Sequence, residues 1–243
     1  MFLRQGQLHA PQDGMLDSLA RRIRVTISDK IQRRRARAIY RRYAAYTMVP
    51  PEAFAHNLVT CWTRAPASGC IVECGVWRGG MSAGMADALP NRRHYLFDSF
   101  EGLPPAREEN DGAAAIAWQK DTSDPFYYDN CRAERSFADR AMALSAARNV
   151  EVIGGWFSDT VANSVPAEPI AVLRLDGDWY DSTLECLRGL YPHVVPGGLI
   201  LIDDYYFWDG CARAVHDFLS TNKLTDRLEQ RPGLCFWTKR ARV

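Results

Sequence analysis

The chain has 243 residues, 47% of them hydrophobic and 11% aromatic, which suffices to bury the core of one large domain and excludes a disordered chain. Its 30 lysines and arginines against 29 acids leave a formal net charge of +1, so no overall field calls for nucleic acid or a membrane as partner. Seven cysteines without a CxxC pair suggest neither a disulfide framework nor a zinc site, and point to a reducing, cytoplasmic setting.

In chain order, the first stretch, MFLRQGQLHAPQDG, lacks the apolar run of a signal peptide, and nothing later reaches the roughly 18 apolar residues of a membrane span. Residues 1–50 read as a basic helical segment. Between 21 and 42 it carries ten basic residues against one acid, Asp29. Ile23, Ile27, Ile31 and Ala38 or Ile39 recur about every four residues, which predicts an amphipathic helix packed on the main body with a solvated arginine face. Pro51 then opens a second helix, PEAFAHNLVTCW.

From residue 70 short apolar runs alternate with helical stretches, the pattern of an α/β protein with a mostly parallel, doubly wound sheet. CIVECGV, HYLFDSF, VEVIGGW, IAVLRLD and GGLILIDD read as five strands, with GGMSAGMADAL and STLECLRGLYPHV among the helices. GCARAVHDFLST reads as a closing helix, followed by a C-terminal hairpin around Arg231-Pro232-Gly233. Residues 51–243 thus form the main domain. Residues 102–135 are too long and too rich in Pro, Gly and Asp for an ordinary connection, and are expected to be a lid that orders over ligand.

Ligands of open parallel sheets bind beyond the carboxyl ends of the strands, where the acids of this sequence gather. Glu73 ends the first strand in VECGVWRGG. Gly75 permits a tight turn, and Gly79 and Gly80 let a ligand approach a helix amino terminus. Asp98, 23 residues beyond Gly75, ends the second strand where a carboxylate can accept the hydroxyls of an adenosine ribose. Dinucleotide and S-adenosylmethionine sites share these two features. Asp176 ends the fourth strand and Asp203 and Asp204 the fifth; adjacent strands lie about 4.8 Å apart, so the three carboxylates converge and need a counter-charge. An all-carboxylate set suits Mg²⁺ better than Ca²⁺ or Mn²⁺. The competing reading makes Asp203 and Asp204 caps of the next helix and has Asp176 bind backbone amides. Trp179, Tyr180, Tyr205, Tyr206, Phe207 and Trp208 crowd the same rim as candidate walls of a ring-binding pocket, and Arg174 is expected to pair with a buried acid.

VECGVWRGGMS, FDSFEGLP, LRLDGDWYDSTLECLRGLYPHVVPGGLILIDDY and GCARAVHDF together resemble the macrocin O-methyltransferase family, metal-dependent sugar O-methyltransferases of antibiotic biosynthesis, over about residues 48–222. The resemblance implies a Rossmann-like class I methyltransferase fold, S-adenosylmethionine and Mg²⁺ as cofactors, a small-molecule sugar or glycoside as acceptor, and a homo-oligomer. It places Asp176, Asp203 and Asp204 on the metal and Asp178 as general base. Glu73, Gly75, Gly79 and Ser82 fall in the methyl-donor loop, Asp98 and Ser99 at the ribose, and Ser158 and Asp159 near the adenine. Three rivals share parts of the pattern. A catechol-type O-methyltransferase would use the same metal and donor, a nicotinamide oxidoreductase has no use for three metal carboxylates, and a non-catalytic sugar- or nucleotide-binding protein predicts their erosion.

Overall fold

The structure, a computed structural model, describes residues 29–241. Residues 29–43 are helical (α1) and run through the short 3-10 turn Ala44–Tyr46 into α2 (Pro51–Arg64). There follow β1 (Cys70–Cys74), α3 (Gly80–Ala88), β2 (Arg93–Asp98), α4 (Glu108–Lys120), the single turn α5 (Tyr128–Cys131) and α6 (Arg135–Ala143). The second half runs β3 (Asn149–Gly154), α7 (Phe157–Thr160), β4 (Ile170–Leu175), α8 (Tyr180–Leu190), β5 (Val194–Ile202), α9 (Asp209–Thr221), β6 (Glu229–Arg231) and β7 (Leu234–Thr238). The seven strands form one sheet in the order β3-β2-β1-β4-β5-β7-β6, parallel from β1 to β5, with β7 antiparallel to both β5 and β6.

The central strands are apolar but for Glu73 of β1 and Arg174 of β4, because both their faces are covered. Period-two alternation sends Val72, Leu173, Ile200 and Trp237 toward α8 and α9. Ile71, Val172, Leu201 and Phe236 point the other way, toward α1, α2 and α3. On that side Ala36 and Tyr43 of α1 are fully buried, and the Tyr40 ring meets Phe54 edge-on at 5.4 Å.

The helical phase expected for the basic segment needs correction. Ile31 lies 62% exposed, because the packing face of α1 runs through Ala36, Ile39, Tyr40 and Tyr43. Five residues at about 100° each put Ile31 some 140° away from Ala36. Ile23 and Ile27 lie outside the described residues. The arginine face is also not simply solvated: Arg37 pairs with Glu52, Arg42 with Asp87 at 3.2 Å, and Arg35 stacks on Trp62 at 4.9 Å.

Within residues 102–135 the structure adds a helix that the composition did not announce. The expected loop contains α4, whose AAAIAWQK stretch favours helix once Gly112 (φ 82°, ψ 170°) has kinked the chain. The segment is tied down at several points. Asp111 accepts the amides of Arg107 and Tyr180, both at 2.8 Å, and Arg213 donates to the carbonyls of Glu109 and Asn110 at 2.8 and 2.6 Å. Gln119 and Trp179 both donate to the Pro104 carbonyl at 2.9 Å. A helical cover therefore lies against α8 and α9.

Candidate active site

A cavity of about 710 Å³ opens at the carboxyl ends of β1, β2, β4 and β5, under this cover. Gly75 and Trp77 of the glycine loop line it, whereas Gly79, expected there from sequence, packs against Ala138 and is not on the wall. Gly75 has φ +86°, and a Cβ there would sit 1.7 Å from the Asp176 carbonyl oxygen, so β1 and β4 close here only around a residue without a side chain. Gly79, at φ 83°, caps α3 in the left-handed conformation. Gly75→Ala is expected to destabilise the fold by at least about 2 kcal/mol and to abolish ligand-dependent stabilisation, read as the melting temperature with and without S-adenosylhomocysteine.

Asp98 lines the cavity and organises this loop. Its Oδ2 accepts the amides of Val76 and Trp77 at 2.6 and 2.8 Å, and its Oδ1 that of Phe100 at 2.6 Å. Burial raises its pKa against the pull of those three amides. Ser99 also lines the cavity, its hydroxyl donating to the Gly102 carbonyl at 3.0 Å. Ser158 reaches the wall, whereas Asp159 does not. Glu73 and Ser82 are not on the wall either; they lie behind the loop, hydrogen-bonded to each other and buried. There Glu73 Oε1 also accepts from Arg174, and burial pushes the Glu73 carboxyl up to about 7 despite that guanidinium.

Asp176, Asp203 and Asp204 meet across the β4–β5 pair, each offering a carboxylate oxygen within 4.8 Å of the others. Arg174 is the buried partner of acids, pairing with Glu73 at 2.6 Å, Asp176 at 2.8 Å and Asp203 at 2.6 Å. One arginine does not balance this many anions. Burial, then repulsion from Asp178, Asp176 and Asp203, drives the Asp204 pKa far upward; burial and Asp176 push Asp203 up to about 7 against the opposing pull of Arg174. Asp178 stands beside them with φ 57°, a left-handed backbone that aspartate tolerates better than most residues. Its amide donates to Asp204 Oδ2 at 3.0 Å, and its Oδ1 accepts the Trp208 indole N–H at 3.0 Å. Burial and the Asp176 charge lift its pKa to about 7.

The opposite wall is aromatic. Trp118, Trp179 and Trp208 meet edge-to-face, with centroid separations of 5.1 to 6.2 Å. Phe207 and Phe126, 67% and 57% exposed, lie at the cavity lip. The rim aromatics expected from sequence divide. Trp179, Phe207 and Trp208 line the cavity, while the hydroxyls of Tyr180, Tyr205 and Tyr206 turn to Asp217, His216 and Gln230. Trp77, Trp118, Trp156 and Arg107 line it without having been singled out. Trp77 lies inside the glycine motif VECGVWRGG and Trp118 inside the covering segment, and position in those stretches is the signal the sequence offers for them.

The sheet order, the glycine loop after β1 and the acid closing β2 define the class I architecture of S-adenosylmethionine-dependent methyltransferases. The O-methyltransferase NovP superimposes with a TM-score of 0.66 at 27% identity, covering 81% of this chain and 83% of that one. The macrocin-O-methyltransferase (TylF) family model matches residues 8–240, and the chain belongs to that family. It is 34% identical over 214 residues to the 8-demethyl-8-(2,3-dimethoxy-alpha-L-rhamnosyl)-tetracenomycin-C 4'-O-methyltransferase of Streptomyces olivaceus, covering 79% of this chain and 75% of that one. It is also 30% identical over 209 residues to the mycinamicin III 3''-O-methyltransferase of Micromonospora griseorubida, covering 81% and 80%. The protein is an S-adenosylmethionine-dependent O-methyltransferase, and no described helix is long and apolar enough to cross a membrane.

Proposed function

We propose that the protein carries out Mg²⁺-dependent methylation of a sugar hydroxyl on a glycosylated natural product. The observation that carries this reading is the meeting of Asp176, Asp203 and Asp204 beside Asp178 in a cavity shared with the glycine loop. The donor set is all carboxylate oxygen, which fits a hard divalent cation. Asp176, Asp203 and Asp204 would hold Mg²⁺, whose charge would lower the pKa of a bound acceptor hydroxyl. S-adenosylmethionine, with its methyl on a positively charged sulfur, would lie along Gly75, Trp77, Asp98, Ser99 and Ser158.

The remaining chemistry belongs to the chain. Methyl transfer forms a carbon–oxygen bond, breaks the carbon–sulfur bond and releases the hydroxyl proton. In this reading Asp178 takes that proton. The Trp208 N–H holds one of its oxygens and leaves the other available. With a cation bound beside it, Asp178 would be an ordinary weak carboxylate base, and acidification of the hydroxyl by that cation is what would make its participation effective. The tryptophan wall offers a flat apolar surface for the C–H face of a sugar ring, and the cover excludes water. The relatives support the acceptor class, since one name carries a rhamnosyl group.

If Trp118 is part of the acceptor wall, Trp118→Ala should raise the acceptor KM about 10- to 100-fold with a smaller change in kcat, as expected for lost ground-state binding. The proposal is tested by a screen of glycosides, nucleotide sugars and small aromatic diols with methyl-labelled donor. Label in a sugar methyl ether supports it; label only on aromatic diols would replace it with the catechol-type reading.

A further inference from the structure

The three carboxylates are not free on both sides. Asp176 Oδ2 lies 2.8 Å from Arg174 Nη1, and Asp203 Oδ1 lies 2.6 Å from Arg174 Nη2. Asp204 Oδ2 accepts the Asp178 amide. Each aspartate therefore has one oxygen set against a protein donor, through hydrogen bonds for Asp176 and Asp204 and through close charge contact without a hydrogen bond for Asp203. The guanidinium that commits two of them is itself fixed. It is fully buried on β4, its Nη1 donates to Glu73 Oε1 at 2.6 Å, and its Nε donates to Asn57 Oδ1 of α2 at 3.3 Å. Glu73 is in turn held by the Ser82 hydroxyl from the first turn of α3. Few side chains other than a planar, multi-donor fork could grip carboxylates from two strands at once.

This arrangement bears on which cation the site accepts. Mg²⁺ is small, demands near-octahedral geometry, takes one oxygen from each of a few carboxylates and keeps several waters. Ca²⁺ takes six to eight oxygens and commonly uses both oxygens of a carboxylate. We propose that Arg174 is a positioning residue that, together with the Asp178 amide, limits Asp176, Asp203 and Asp204 to one oxygen each and so makes the site favour a small octahedral cation over Ca²⁺. The inference rests on the metal-site reading above. It also differs from a plain charge-balancing role for Arg174, which would alter the affinity for both cations alike and leave their ratio unchanged.

The test is calorimetric titration of the full chain with Mg²⁺ and, separately, Ca²⁺, without donor or acceptor, for the wild type, Arg174→Lys and Arg174→Met. The wild type should bind Mg²⁺ at least as tightly as Ca²⁺. That ratio should move toward Ca²⁺ by at least about fivefold in Arg174→Lys, whose single ammonium cannot hold both carboxylates in the same fork, and further in Arg174→Met. If circular dichroism shows Arg174→Met unfolded, Arg174→Lys decides. Preference for Ca²⁺ in the wild type, or an unchanged ratio in a folded variant, overturns the inference while leaving the metal site standing. Absence of binding by either cation overturns both.

Discussion

Asp178→Asn is expected to lower kcat for methyl transfer by about two to four orders of magnitude, the range for loss of a positioned general base. Asparagine keeps the shape, keeps an oxygen to accept the Trp208 indole N–H, and is at ease in the left-handed backbone that residue 178 adopts. It cannot take up a proton. The protein should therefore fold as before and bind S-adenosylhomocysteine with unchanged affinity, so that the loss falls on kcat and not on donor binding. A fall of less than about threefold would show that the hydroxyl proton leaves by another route. Single-turnover measurement with labelled donor separates the chemical step from product release.

Asp204→Asn should be at least as damaging, by a different path. The amide can still accept the Asp178 N–H through its oxygen, which leaves the turn between β4 and α8 intact. What is lost is one of three anionic oxygens that converge within 4.8 Å. Charge stabilisation by a bound cation is worth several kcal/mol in a site of this kind, so activity at low millimolar Mg²⁺ is expected to drop about 10³-fold or more. Raising the Mg²⁺ concentration should restore part of it, because two carboxylates remain. Calorimetry should show Mg²⁺ affinity reduced in step, and unaltered affinity would remove Asp204 from the metal site.

The sheet was legible because its middle strands are covered on both faces. Cys70–Cys74, Ile170–Leu175 and the latter part of Val194–Ile202 are nearly unbroken, short, β-branched-rich apolar runs, as strands covered on both faces require. The aspartates after β4 and β5 were legible for the same reason. Strand ends fix where their side chains go, and adjacency of the two strands brings them together.

The rest depended on contacts that local sequence does not encode. Nothing in AREENDGAAAIAWQK says that Asp111 will accept the amides of Arg107 and Tyr180, which is what turns the loop into a helical cover. The tryptophan wall draws on three separate segments, so only tertiary packing assembles it. Glu73 and Ser82 lie in the expected motif yet behind the cavity wall, because the first turn of α3 aims Ser82 inward at a carboxylate already committed to Arg174. A spacing of four points to Ile31, but the phase of α1 is set by Ala36 and Tyr43, which are fully buried.

The central claim is that a divalent cation held by three aspartates supports methyl transfer to a sugar. Its most direct test uses the purified full chain, methyl-labelled S-adenosylmethionine and a glycoside acceptor, with label transfer followed in Mg²⁺, after EDTA, and after Mg²⁺ is added back. The account predicts label in a sugar methyl ether that disappears on chelation and returns with Mg²⁺; transfer at full rate in EDTA would contradict it.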